Sequence, residues 1–107
     1  EARLKLKYGK QPPMLSPQML MTCNYMNEAC DGGWPHFNVF LAENAHLVSE
    51  DCAPYKGKSK GDYVVTTSNA NYPKVEQSYF VGGGWGATSE KQMMKEILRN
   101  GPINGDF

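Results

Sequence analysis

The chain has 107 residues, enough for one ordinary domain or for part of a larger one. Eleven basic and eleven acidic side chains cancel, so there is no electrostatic footprint for nucleic acid or for an acidic membrane surface. No apolar run approaches the length needed to cross a bilayer, and the sequence contains no signal-peptide pattern.

Glu1 to Lys7 are helix formers, and Gly9 stands where a C-terminal cap belongs. Pro12-Pro13 then forces an extended link. In Leu15-Ser16-Pro17-Gln18, Ser16 can cap a new helix and Pro17 suits its first position. That helix is predicted to run through Met19, Leu20 and Met21 toward Cys23. Gly32-Gly33 marks a turn that backbone can approach closely. A third helix is expected from Trp34 or Pro35 to Asn44, with Phe37, Phe40 and Leu41 on its inner face.

Residues 48–71 read as loop, punctuated by Pro54, Gly57 and Gly61. Lys56 to Lys60 form the densest basic stretch, read as a solvated loop. Tyr79-Phe80-Val81 is a short strand candidate before Gly82-Gly83-Gly84. Ser89 caps a last helix in which Met93, Met94, Ile97 and Leu98 are expected to face inward. Asn100-Gly101-Pro102 ends it, and a further strand is expected from Ile103. Helices lead and strands trail, which predicts an α+β fold of two lobes. Glu1 opens inside a helix and Phe107 closes inside an apolar stretch, so the chain is expected to be a piece of a longer protein.

The motifs exclude more than they identify. Cys23, Cys30 and His36 share one window, but the two cysteines are seven residues apart and no second pair follows. Structural zinc sites pair their cysteines roughly two to four residues apart. No metal and no cofactor are therefore expected. Gly82-Gly83-Gly84-Trp85-Gly86 lacks the Lys and Ser or Thr of a phosphate-binding loop, and reads as a structural turn. Nucleophilic catalysis needs a Cys or Ser, a His and a group that orients the His. Neither His36 nor His46 stands in a pattern that marks a catalytic base. Three cysteines leave one free or bonded outside the chain in an oxidising compartment, while all three would be thiols in a reducing one.

One combination stands out. Cys30-Asp31-Gly32-Gly33-Trp34-Pro35 follows Leu15-Ser16-Pro17-Gln18 and Cys23, and in this order the chain resembles the papain-like cysteine peptidases. Ala29 departs from the glycine usual before the matching cysteine. Glu1-Ala2-Arg3-Leu4 resembles the tail of the helix that carries the family's nucleophile. Leu47 to Tyr55 resembles the strap of the cathepsin C type, as does Ser16-Pro17-Gln18. Phe80-Val81-Gly82-Gly83 and Met93 to Ile103 resemble the start of the second lobe, the latter being similar also to cathepsin X.

The resemblance implies a two-lobed papain-like fold. Residues 1–74 would supply most of the helical lobe, without the nucleophile end of its central helix. Residues 75–107 would open the β-rich lobe. The family's Cys-Gly-[Ser/Ala]-Cys signature is absent, and its His and Asn follow the nucleophile by about 130–150 residues. The chain is therefore expected to hold no catalytic residue and to depend on the remaining segments of the same peptidase. It would instead supply the wall of the cleft that takes the peptide substrate. Gly32 and Gly33 lie along that wall, Gly33 pairs with the extended peptide, and Trp34 and Pro35 line the second subsite.

Asp106 falls at the floor of that subsite, where it would favour basic side chains or spoil the pocket. His46 takes a helix-end position where relatives have glycine, which predicts left-handed backbone. Cys30 would pair with a cysteine outside the chain. The usual partners of Cys23, near Asp62, and of Cys52 are missing, which leaves Cys23–Cys52 as a substitute pair. The resemblance implies that the parent is a lysosomal, vacuolar or secreted peptidase, and its cathepsin C features imply release of N-terminal dipeptides. The alternative is a catalytically inactive homologue serving as a structural or binding subunit.

Overall fold

A computed structural model of the chain describes residues 1–58 and 74–105. Four α-helices follow in order: α1 (Ala2–Tyr8), α2 (Pro17–Cys23), α3 (Pro35–Asn44) and α4 (Glu90–Asn100). A single 3-10 turn, Ala29–Asp31, lies between α2 and α3. None of the described helices is long and apolar enough to cross a membrane. The chain forms two compact units, one of Glu1–Pro12 with Tyr79–Phe107 and the other of Pro13–Ser78.

The helix ends obey local chemistry. Gly9 closes α1 with φ 67°, a left-handed cap that a side chain would disfavour. The Ser16 hydroxyl accepts from the Met19 N–H at 3.0 Å, and Pro17 occupies the first turn. Ser89 and Gln92 form a reciprocal capping box at the start of α4.

In the Pro13–Ser78 unit the core is small: Met19, Val48 and Ala53, with Cys23, Ala45 and Leu47 packed against it. Burying a side chain such as Met19 contributes about 1.5–3 kcal/mol. The strap is laid across α2 by hydrogen bonds. Ser16 N–H donates to the Val48 carbonyl at 2.9 Å and Glu50 N–H to the Met14 carbonyl at 2.8 Å, making an antiparallel bridge between Leu15 and Ser49. The Ser16 hydroxyl also donates to the Ala53 carbonyl at 2.5 Å. Buried Gln18 accepts from Lys56 N–H at 2.8 Å and donates to the Lys58 carbonyl at 3.3 Å. Ser16 and Gln18 thus fasten the strap as well as opening the helix.

Several sequence expectations need correction. On α3, Phe37 and Leu41 are half-buried but Phe40 is 49% exposed, and Ala42 is the buried residue. The inward face therefore runs through Asn38 and Ala42, one turn apart. On α4, Met94, Ile97 and Leu98 are exposed and only Met93 and Glu96 are half-buried. The side of α4 that meets α1 is polar: Glu96 lies 3.1 Å from Arg3, whose Nε donates to the Pro102 carbonyl at 2.8 Å.

Tyr79-Phe80-Val81 forms no strand. Its carbonyls are used locally, Phe80 accepting from Gly83 N–H at 2.9 Å and Val81 from the Thr88 hydroxyl. The described residues after Ile103 are also irregular. His46 is not left-handed: among the described residues the sole non-glycine with positive φ is Ala29, at 53°. Of the long loop, residues 48–58 are irregular beyond the bridge, and the rest lies outside the described residues.

Candidate functional site

The Gly-Gly edge is built by three asparagines. After α2, Asn24 is fully buried, and its Oδ1 accepts from Met26 N–H at 3.0 Å. Its Nδ2 donates at 2.8 Å to Asn38 Oδ1 on α3. Asn27, also buried, donates to the same Asn38 oxygen at 3.1 Å. Asn27 further accepts from Trp34 N–H at 2.8 Å and donates to the Trp34 carbonyl at 3.3 Å. Its side-chain amide thereby holds Trp34 by both backbone groups, as a neighbouring strand would.

Gly33 passes directly over this clamp. A Cβ added there would lie 2.3 Å from Asn27 Oδ1, and the backbone has φ 153°. Glycine is required on both counts. The group that crowds Gly33 from inside is Asn27, whereas the sequence reading expects close approach there by a substrate backbone. On the outer side Gly32 and Gly33 are exposed. Among the described residues no hydrogen bond engages the Gly33 N–H or carbonyl.

Trp34 is 52% exposed, so it is not a core aromatic. Pro35 opens α3 beside it, and the His36 ring lies 6.1 Å from the Trp34 ring and 4.3 Å from Phe37. Gly32, Gly33, Trp34 and Pro35 border one cavity of about 180 Å³, which Leu20 and Met21 of α2 also line. Asp106 lies outside the described residues.

Sequence reasoning missed Asn24, Asn27 and Asn38. Isolated asparagines carry no periodic signal, and their value here depends on three segments meeting.

Ala29 sits at the rim of the same cavity in left-handed backbone, the position where the resemblance gave glycine as usual. The strain expected at His46 is found here instead.

The three cysteines are free thiols in this structure, so the Cys23–Cys52 bridge is not formed. Cys23 packs against the Met19–Val48–Ala53 core, whereas Cys52 is exposed on the turn before Ala53. Burial pushes the Cys23 thiol up, the wrong direction for a nucleophile. Cys30 is exposed and its thiol donates to the Gly57 carbonyl at 3.5 Å. Among the described residues no three His, Cys, Asp or Glu side chains converge to hold a metal ion. The arrangement thus offers an open backbone edge beside an aromatic wall, which suits binding of an extended chain.

Known proteins match this sequence over most or all of its length. The family described as papain family cysteine protease matches residues 1–107. Cathepsin C of Schistosoma mansoni is 36% identical over all of this chain, which covers 24% of that protein. Cysteine proteinase 2 of Leishmania pifanoi is 37% identical over 89% of the chain and 22% of its own length. The chain thus spans about a quarter of the curated relatives it matches. Among solved structures, the Carica candamarcensis cysteine protease CMS1MS2 in complex with E-64 superposes with a TM-score of 0.63 over 90% of this chain and 42% of that one. At 23% identity that likeness speaks for the fold, which is papain-like. The α+β expectation holds at that level, although the described residues are mainly helical. By its sequence and its fold, this chain belongs to the papain family of cysteine proteases.

Proposed function

We propose that this chain supplies the substrate-cleft wall of a cysteine peptidase of the cathepsin C type. The nucleophilic cysteine, the histidine and the asparagine stand on other segments of the same protein. The observation that carries the reading is the exposed Gly32–Gly33 edge, whose Gly33 backbone groups no described residue engages. An extended peptide adds there as a strand adds to a sheet edge, backbone pairing giving affinity and side-chain pockets giving selectivity. Half-exposed Trp34, with Pro35, lines the pocket for the second residue of the substrate.

In such a peptidase a thiolate attacks the peptide carbonyl and the imidazole carries the proton to the leaving amine. The cleft wall contributes by holding the scissile bond in line. Misplacing it by a fraction of an ångström reduces the rate without touching a catalytic group. The likeness to cathepsin C supports release of dipeptides from free N-termini in a lysosomal, vacuolar or secreted setting. By the sequence resemblance alone, Asp106 would fall at the floor of the second subsite, where it would favour basic side chains or spoil the pocket.

A panel of peptides with free and acetylated N-termini, varied at the second residue, tests these points on the whole protein. The expected result is dipeptide release from free N-termini only, with basic second residues preferred and Trp34→Ala changing that preference. Equal internal cleavage of acetylated peptides would end the dipeptide reading, and a purely aliphatic preference would end the Asp106 reading. A protein that hydrolyses no peptide would be the inactive homologue.

A further inference from the structure

The amide orientations around Trp34 are determined by backbone donors. Met26 N–H requires an oxygen on its side of Asn24, and Trp34 N–H requires one on its side of Asn27. Both Nδ2 groups must then turn to Asn38 Oδ1, at 2.8 Å and 3.1 Å. Asn27 has no rotational choice left. Its carbonyl faces Trp34 N–H, its NH2 faces the Trp34 carbonyl, and its side chain lies where a Gly33 Cβ would be. The residues on either side of this contact, Gly32 and Trp34, are exposed. The edge is held from the protein side by the Asn27 amide and by Glu28 N–H, which donates to the Gly32 carbonyl at 3.0 Å; of the two, only Asn27 contacts Gly33 and Trp34.

We infer that Asn27 is a positioning residue for peptide binding, fixing through Trp34 and Gly33 the direction in which the Gly33 N–H points. The inference rests on the cleft-wall reading above. Asn27 touches no substrate; it acts by keeping the open donor aligned before the peptide arrives. A preorganised donor costs less ordering on binding than a free one. Losing Asn27 therefore weakens the use of the Gly33 N–H more than it weakens the chemical step.

The test compares two substrates on the whole peptidase. One is a normal peptide. The other carries sulfur in place of the substrate carbonyl oxygen that faces Gly33 N–H, which makes it a weaker acceptor. In the unaltered protein the normal peptide is expected to lead by about fivefold in kcat/KM, the size of one modest hydrogen bond. In Asn27→Ala the lead is expected to fall below about twofold, with KM for the normal peptide rising and kcat held. Because both substrates meet the same sample, partial unfolding cancels from the ratio. Asn27→Ser, which keeps a short polar group, carries the same comparison if the alanine variant does not fold. A lead that persists undiminished in the variants overturns the role of Asn27 alone. A lead absent from the unaltered protein overturns the cleft-wall reading, and the role of Asn27 with it.

Discussion

The two compact units use their side chains differently. In Pro13–Ser78, buried polar groups tie segments together: Ser16 and Gln18 hold the strap, and Asn24, Asn27 and Asn38 hold the Gly-Gly edge. In the unit of Glu1–Pro12 with Tyr79–Phe107, α4 opens with a complete capping box, yet buries none of its residues. Its links to α1 are polar and lie at the surface, between exposed Arg3 and half-buried Glu96. Good local helix chemistry and a buried helix are thus separate outcomes. Caps are made by neighbours in sequence, whereas burial needs a partner surface.

Removing Ser16 should break the first unit most. Ser16→Ala deletes the cap on Met19 N–H and the buried hydrogen bond to the Ala53 carbonyl. The expected loss is about 2–3 kcal/mol, read as a lowered denaturation midpoint. A loss near zero would mean that solvent replaces both bonds and that the strap is not held there.

Relieving strain should sharpen the contrast in the other direction. Ala29 holds φ 53°, which costs an L-residue about 1–2 kcal/mol per position. Ala29→Gly is expected to stabilise by about 0.5–1 kcal/mol, after the greater chain entropy of glycine is subtracted. His46→Gly lacks this benefit, since His46 is not in left-handed backbone. A melting temperature raised for the Ala29 variant and not for the His46 variant checks both statements.

The smallest effect belongs to the second unit. The Tyr79 hydroxyl first, then the Asn100 amide and Arg3, hold the Glu96 carboxyl below the usual carboxylate range. A folded-state pKa that is lowered adds stability above the ordinary value of about 4.3, and that stability is lost as pH falls through the lowered value. The protection of α4 amides, measured relative to their intrinsic exchange rates at each pH, should therefore fall on acidification below about pH 4.3. In Glu96→Gln that acid-dependent step should vanish. Exposed pairs contribute little, so the change is expected to be local and to leave the Asn27 edge unaltered.

Helix ends were legible in the sequence because their causes lie within a few residues. Gly9, Ser16-Pro17 and Ser89 each act on backbone groups close by, and all three do in the structure what their types dictate. The family was legible too, from short motifs kept in order along the chain. Helix faces were less so. Phe40, Ile97 and Leu98 carry apolar side chains, but only neighbouring surfaces determine which of them are covered.

The sequence by itself thus determined where the described helices start and stop and which family the chain belongs to. Only the tertiary structure decided that Asn27 crowds Gly33, that Ala29 bears the strain, and that α1 meets α4 through Arg3 and Glu96. The physical reason is range. A cap is closed by a residue three positions away, but the Arg3–Glu96 pair joins residues 93 positions apart. Such a contact exists only once the chain between them has folded.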